Sequence, residues 1–248
     1  MVSSGIRLFR FAGIQVYLHF SWFLVAAYQV QARLYLYSAP IFAVYEYLAL
    51  FAMVLAHEFG HALACRQTGG YADRIVLWPL GGVAFVQPPR RPGAVLWSLA
   101  AGPLVNLALV PVFRLLVAYA KHRYLFITNP DAYRLVSTLE LINLVLLIFN
   151  MLPVYPLDGG QILRALLWFP FGEIRSLQIA SAIGLVGGIA LAALALFWRS
   201  IWTGVMAFFL VSRAVAGWQQ AKVLVREERE HRFGATAPVV PRDLGPRD

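Results

Sequence analysis

The sequence predicts an all-α polytopic membrane protein: about six transmembrane helices, with a membrane-associated β-hairpin between helices two and three. Three observations predict it. Of the 248 residues, 60% are apolar and 13% charged, where a soluble domain has about 45–50% and about 25%. Several apolar stretches reach the length of about 20 residues that a bilayer crossing needs. Between the second and third of them lies a piece too short and too broken to span. This composition excludes a disordered chain, a coiled coil and most soluble enzymes. Cys65 is the only cysteine, which excludes an intrachain disulfide, an iron–sulfur site and a thiolate zinc knuckle.

The elements follow in chain order. Arg7 and Arg10 precede the first apolar stretch, Ile14 to Val30. It has the look of a secretory signal core, but Val30-Gln31-Ala32 is a poor cleavage site, so it is expected to be span one. Span two is expected from Pro40 to Cys65. The piece from Gly69 to Pro92 holds Ile75-Val76-Leu77-Trp78, Gly81-Gly82 and Val83–Val86 before Pro88-Pro89. Short β-rich runs around a glycine pair read as a hairpin, lying in the interface or entering where protein shields its backbone. Spans three and four are expected at Gly93–Ala120 and Arg134–Leu152, spans five and six at Ile179–Trp198 and Ile201–Gly217. Residues 1–221 form one membrane-embedded unit in this reading, with a core at about 40–165. Residues 222–248 form a cytoplasmic polar tail. Its first part, to Arg232, extends the last helix, and the charged, Pro/Gly-rich rest is expected to be disordered. No internal repeat is evident, which weighs against a transporter built on inverted repeats.

The net charge is +9, from 21 Lys and Arg against 12 Asp and Glu. In a membrane protein such an excess is explained by cytoplasmic loops, which collect Lys and Arg, and no nucleic-acid partner is called for. Six spans put both ends on one side. With the ends inside, 15 of the basic residues fall on the inner side and six on the outer. Both termini are therefore expected in the cytoplasm, with the cell membrane as the location.

The chemistry lies in span two, where residues 57–61 read His57-Glu58-Phe59-Gly60-His61. Residues i and i+4 share a helix face, so both imidazoles can reach one metal ion. Glu58, beside them, is placed to take a proton from water held there. Ionisable groups inside a membrane helix are costly and default to function. His57 precedes Arg66 by nine residues, or about 13 Å of helix. The site is thus inside the membrane zone, nearer the cytoplasm. His19 is read as a packing or interfacial contact. A catalytic zinc commonly takes three protein ligands. The acidic candidates for the third are Glu46, Glu140 and Asp158. Glu46 lies about 16 Å away on the same helix, beyond reach, and Glu140 lies near the outer side. Asp158 follows Pro153 and Pro156 and precedes Gly159-Gly160, a broken stretch of the kind tolerated in a membrane where it lines a cavity.

His57–His61 within a span, then Ala101-Gly102-Pro103-Leu104-Val105-Asn106, then Asn150–Gly160 resemble, in that order, the site-2 protease family of intramembrane zinc metalloproteases. The resemblance implies that His57, His61 and Asp158 bind one zinc per chain and that Glu58 is the general base. It also implies that Gly69–Pro92 is the family's membrane-associated hairpin, and that a peptide bond in a transmembrane protein substrate is hydrolysed. Many members carry an added PDZ or CBS domain. No stretch here leaves room for one, so a separate regulatory membrane protein is an expected partner. The oxyanion of the reaction needs a donor. Asn150 is the better candidate, while Asn106 is as well suited to interhelical hydrogen bonding. The rival reading is a metal or solute transporter using the His/His/Asp cluster as a transit site. Glu58 in the base position and the lack of ligand-rich routes in other spans weigh against it.

Overall fold

Alternation with period two shapes the N-terminal end of this protein, whose computed structural model describes residues 5–78 and 81–235. Strand β1 covers Gly5–Phe11 and β2 covers Ile14–His19. In β2, Ile14, Val16 and Leu18 are buried while Gln15, Tyr17 and His19 lie on the opposite, half-buried face. Between the strands Ala12 and Gly13 take φ of 48° and 76°, the pair of positive values that suits a two-residue hairpin turn. The Arg66 guanidinium donates to the Ala12 carbonyl and ties this turn to the end of helix α2. The expected first span is therefore corrected. Its first third is a strand, and only Ser21–Arg33 is a helix, α1. At 13 residues, α1 reaches about 20 Å, short of a bilayer crossing. The physical reason is that β-branched Ile14 and Val16 alternate with polar groups and find a partner strand for their backbone.

That partner is β3. Helix α2 runs Ile41–Gln67, followed by β3 at Tyr71–Trp78 and β4 at Gly81–Gln87. The expected hairpin is present, antiparallel, with Ile75 opposite Ala84. It is half of something larger: β2 lies parallel to β3, with Val16 opposite Ile75, giving one four-stranded sheet in the order β1-β2-β3-β4. The fold is thus mostly helical with a small sheet, where an all-α fold with an isolated hairpin was expected. Ile14, Val16, Ile75 and Leu77 from the sheet pack with Trp22 of α1 and Ala62 and Cys65 of α2. The sheet is thereby fixed beside the half of α2 that holds His57 and His61.

Helix α3 covers Pro92–His122, α4 Leu125–Thr128, α5 Pro130–Asn150, α6 Asp158–Phe197 and α7 Ile201–Ala235. Proline opens α3 and α5, where its missing N–H costs nothing. Asp131 of α5 accepts from the backbone N–H groups of Ser38 and Ala39 at 3.0 and 2.8 Å, tying α5 to the approach to α2. Helix α6 bends at Gly172, whose φ is 80°. Residues 158–178, to which the sequence reading gave no element, are helical. The fifth and sixth expected spans fall in α6 and α7, and α7 runs on through the expected extension to Arg232 and three residues beyond it, to Ala235. The rest of the tail, from residue 236, lies outside the described residues. Among the described residues four helices are long and apolar enough to cross a membrane, namely α2, α3, α5 and α6, against six expected.

Candidate active site

Helix α2 places His57 and His61 one turn apart on the face turned to α3. Both are buried, and their Nε2 atoms lie 3.0 Å apart. Asp158 comes from the other end of the fold as the first residue of α6. Its Oδ2 lies 3.0 Å from His57 Nε2 and 3.4 Å from His61 Nε2. Among the described residues these three are the group whose ligand atoms converge within 4.8 Å, as a metal ion requires. Glu46 and Glu140 are engaged elsewhere. Glu46 pairs with Arg33 at 2.8 Å and accepts from Tyr37 at 2.6 Å. Burial, and then Glu46, push the Tyr37 phenol well above its ordinary pKa. Glu140 pairs with Arg114 at 2.8 Å.

Asp158 reaches the site because the chain stops being helical before it. α5 ends at Asn150, and residues 151–157, with Pro153 and Pro156, form a turn. That turn is seated on glycines of α6 and α7. A Cβ at Gly184 would meet the Tyr155 carbonyl at 2.6 Å, and one at Gly187 the Val154 side chain at 3.0 Å. At Gly217 it would meet the Tyr155 ring at 3.1 Å.

The donor set fits a zinc ion. His61 Nδ1 lies 2.8 Å from the Ser98 carbonyl. A carbonyl only accepts, so Nδ1 carries the proton and Nε2 turns its lone pair inward, toward a carboxylate and a second imidazole. Three electron-rich atoms pointed at one another repel unless a cation lies among them, and two imidazoles with a carboxylate suit zinc. Space is kept as well: a Cβ on Gly102 would lie 2.2 Å from His61 Nε2 and 2.8 Å from His57 Nε2.

Glu58 is buried beside these three side chains, and its Oε2 accepts from the backbone N–H of Ala84 in β4 at 2.9 Å. A Cβ on Gly82 would overlap Glu58 Cγ at 2.3 Å, so β4 runs hard against this carboxylate. Asn150 is half-buried and ends α5; among the described residues its side chain makes no hydrogen bond. Asn106 is fully committed: Oδ1 lies 2.6 Å from His57 Nδ1, and Nδ2 donates to Asn143 at 2.9 Å. His19 stacks on Trp78 with ring centroids 4.3 Å apart and contacts Ser21. Sequence reasoning missed Ser98, Asn143 and the Ala84 amide. Of these only Asn143 left a signal, as a carboxamide inside an apolar span.

Known proteins bear on this arrangement. A profile describing Peptidase family M50 matches residues 126–194. Zinc metalloprotease MJ0392 of Methanocaldococcus jannaschii is 36% identical over 183 residues, 74% of this chain and 51% of that protein. Putative zinc metalloprotease sll0528 of Synechocystis is 30% identical over 97% of this chain and 66% of its own length. Putative zinc metalloprotease Rip3 of Mycobacterium tuberculosis is 37% identical over 59% of this chain and 37% of its own. The chain thus spans about half the length of the first of these relatives and about two thirds of the second. The solved structure of a site-2 protease from Methanocaldococcus jannaschii superposes with a TM-score of 0.63 at 30% identity, over 86% of this chain and 95% of that one. On that agreement of sequence and fold along nearly a whole solved relative, the chain belongs to the site-2 protease family, Peptidase family M50.

Proposed function

We propose that this protein is a zinc-dependent intramembrane endopeptidase that hydrolyses a peptide bond within or near the transmembrane segment of a membrane-protein substrate. One observation carries the reading: His57, His61 and Asp158 converge within 4.8 Å with the Glu58 carboxylate beside them, on helices apolar enough to cross a bilayer. His57, His61 and Asp158 would hold the metal. A zinc ion, when bound, polarises a carbonyl and makes water more acidic.

The chain's own residues do the rest. Glu58 accepts the proton of the attacking water and returns it to the leaving amine. Asn150, whose amide has no other partner among the described residues, donates to the oxyanion. A substrate helix has its amides occupied and must unwind to be cut. β4 ends the sheet order, so its outer edge offers backbone groups to an extended strand. Both termini face the cytoplasm at the cell membrane, and a separate membrane protein regulates access.

Co-expression with a panel of tagged single-span membrane proteins tests the reading. At least one should be shortened by the wild type and left whole by Glu58→Gln. A panel cut equally by both would remove Glu58 from the mechanism, and metal flux without cleavage would sink the reading in favour of transport.

A further inference from the structure

We propose that Asn143 on α5 acts through Asn106 on α3 to hold His57 with its Nε2 lone pair turned into the metal site, which makes both asparagines positioning residues for that ligand. The proposal rests on the metalloprotease reading above. Both amides are 1% exposed, among the most deeply buried polar side chains of the protein. Polarity starts at a group that cannot change sign, the backbone carbonyl of Asn106, which only accepts. It takes a hydrogen bond from Asn143 Nδ2 at 2.9 Å. The Asn143 oxygen must then face the other way, where it accepts from Asn106 Nδ2 at 2.9 Å. That leaves the Asn106 oxygen for His57 Nδ1, 2.6 Å away. An amide oxygen has no proton to give, so Nδ1–H donates and Nε2 keeps its lone pair.

The two imidazoles are therefore fixed by different means. His61 needs only the Ser98 carbonyl of α3. His57 needs a carboxamide on α3, oriented by a second on α5. Outer groups of this kind fix the tautomer and ring angle of a ligand, and losing one weakens metal binding by about 10–100-fold. The pair also lets α5, which supplies no ligand, register its packing at the metal.

The test is zinc affinity, measured on purified, metal-stripped protein by competition with a chromophoric chelator, with the thermal midpoint of the zinc-free protein followed in parallel. Asn106→Leu should weaken zinc by about 10–100-fold, and Asn143→Leu by about tenfold. Asn106→Asp, which keeps an acceptor for His57, should stay within about threefold of wild type. In the Asn106→Leu background, Asn143→Leu should cost no further affinity. Should Asn143→Leu fail to fold, Asn143→Ala removes the same amide without adding bulk. A purely structural Asn143 would lower the midpoint and leave zinc affinity within about twofold, which overturns the proposal. So does an Asn143→Leu loss that is equal in both backgrounds. A wild-type protein that takes up no zinc overturns the metalloprotease reading and this proposal together.

Discussion

At the scale of single residues, ligands and base should separate cleanly. His57→Ala, His61→Ala and Asp158→Ala each remove one of three converging donors, so each purified variant should lose the one zinc per chain expected of wild type, as metal analysis would show. Glu58→Gln keeps the shape of the side chain and removes only the base. It should retain zinc while cleavage falls by about 10²–10⁴; a Glu58→Gln protein without metal would make Glu58 a ligand instead. Gly102→Ala is a sharper probe, because its methyl would sit 2.2 Å from His61 Nε2. The imidazole or α3 must move, and a misplacement of about 1 Å costs about a hundredfold in rate. Full activity and zinc content in Gly102→Ala would show that the pocket relaxes freely. The ligand candidates were legible because His57, Glu58 and His61 are close in sequence and Asp158 lies in a visibly broken helix. Ser98 was not, because it contributes a backbone carbonyl, which every residue has.

At the scale of elements, the turn 151–157 leads into Asp158, the proposed third ligand. Replacing Pro153 and Pro156 by Leu should let α5 continue. Asp158 would then rotate by about 100° per residue of register change, and zinc and activity should fall together while the protein still inserts. A double variant that binds zinc fully and cleaves at the wild-type rate would make the break incidental. The seat of that turn can be tested from the far side: Gly217→Leu on α7 would press on Tyr155. It should lower zinc occupancy although no ligand is touched, and unchanged occupancy would show that the seat yields. Sequence patterning located α2, α3 and α5 to within a few residues. It failed at Ile14–Val30 because two short elements of different period, β2 and α1, adjoin through His19-Phe20-Ser21 with no charge, proline or glycine to mark the boundary. That β2 pairs with β3 depends on residues 59 positions apart, as Gln15 and Arg74 are, which local pattern does not hold.

At the scale of the whole molecule, the positive-inside reading and the fold make one topological demand. Reporter fusions after residue 235 and within β3–β4 should report the cytoplasm, and a fusion at Asn129 the opposite side. A tail fusion reporting the outside would overturn either the orientation or the number of crossings, of which four helices are now candidates. The site itself is assembled from parts made at different times. His57 and Asp158 are 101 residues apart in the chain. As the polypeptide is synthesised, α2, the sheet and α5 emerge and insert before Asp158 exists. Throughout that interval the nascent protein holds a base and two imidazoles but not the carboxylate that completes them. On the proposed reading the cluster is incomplete until α6 docks, so the order of synthesis itself delays zinc binding and cleavage until the fold is nearly finished.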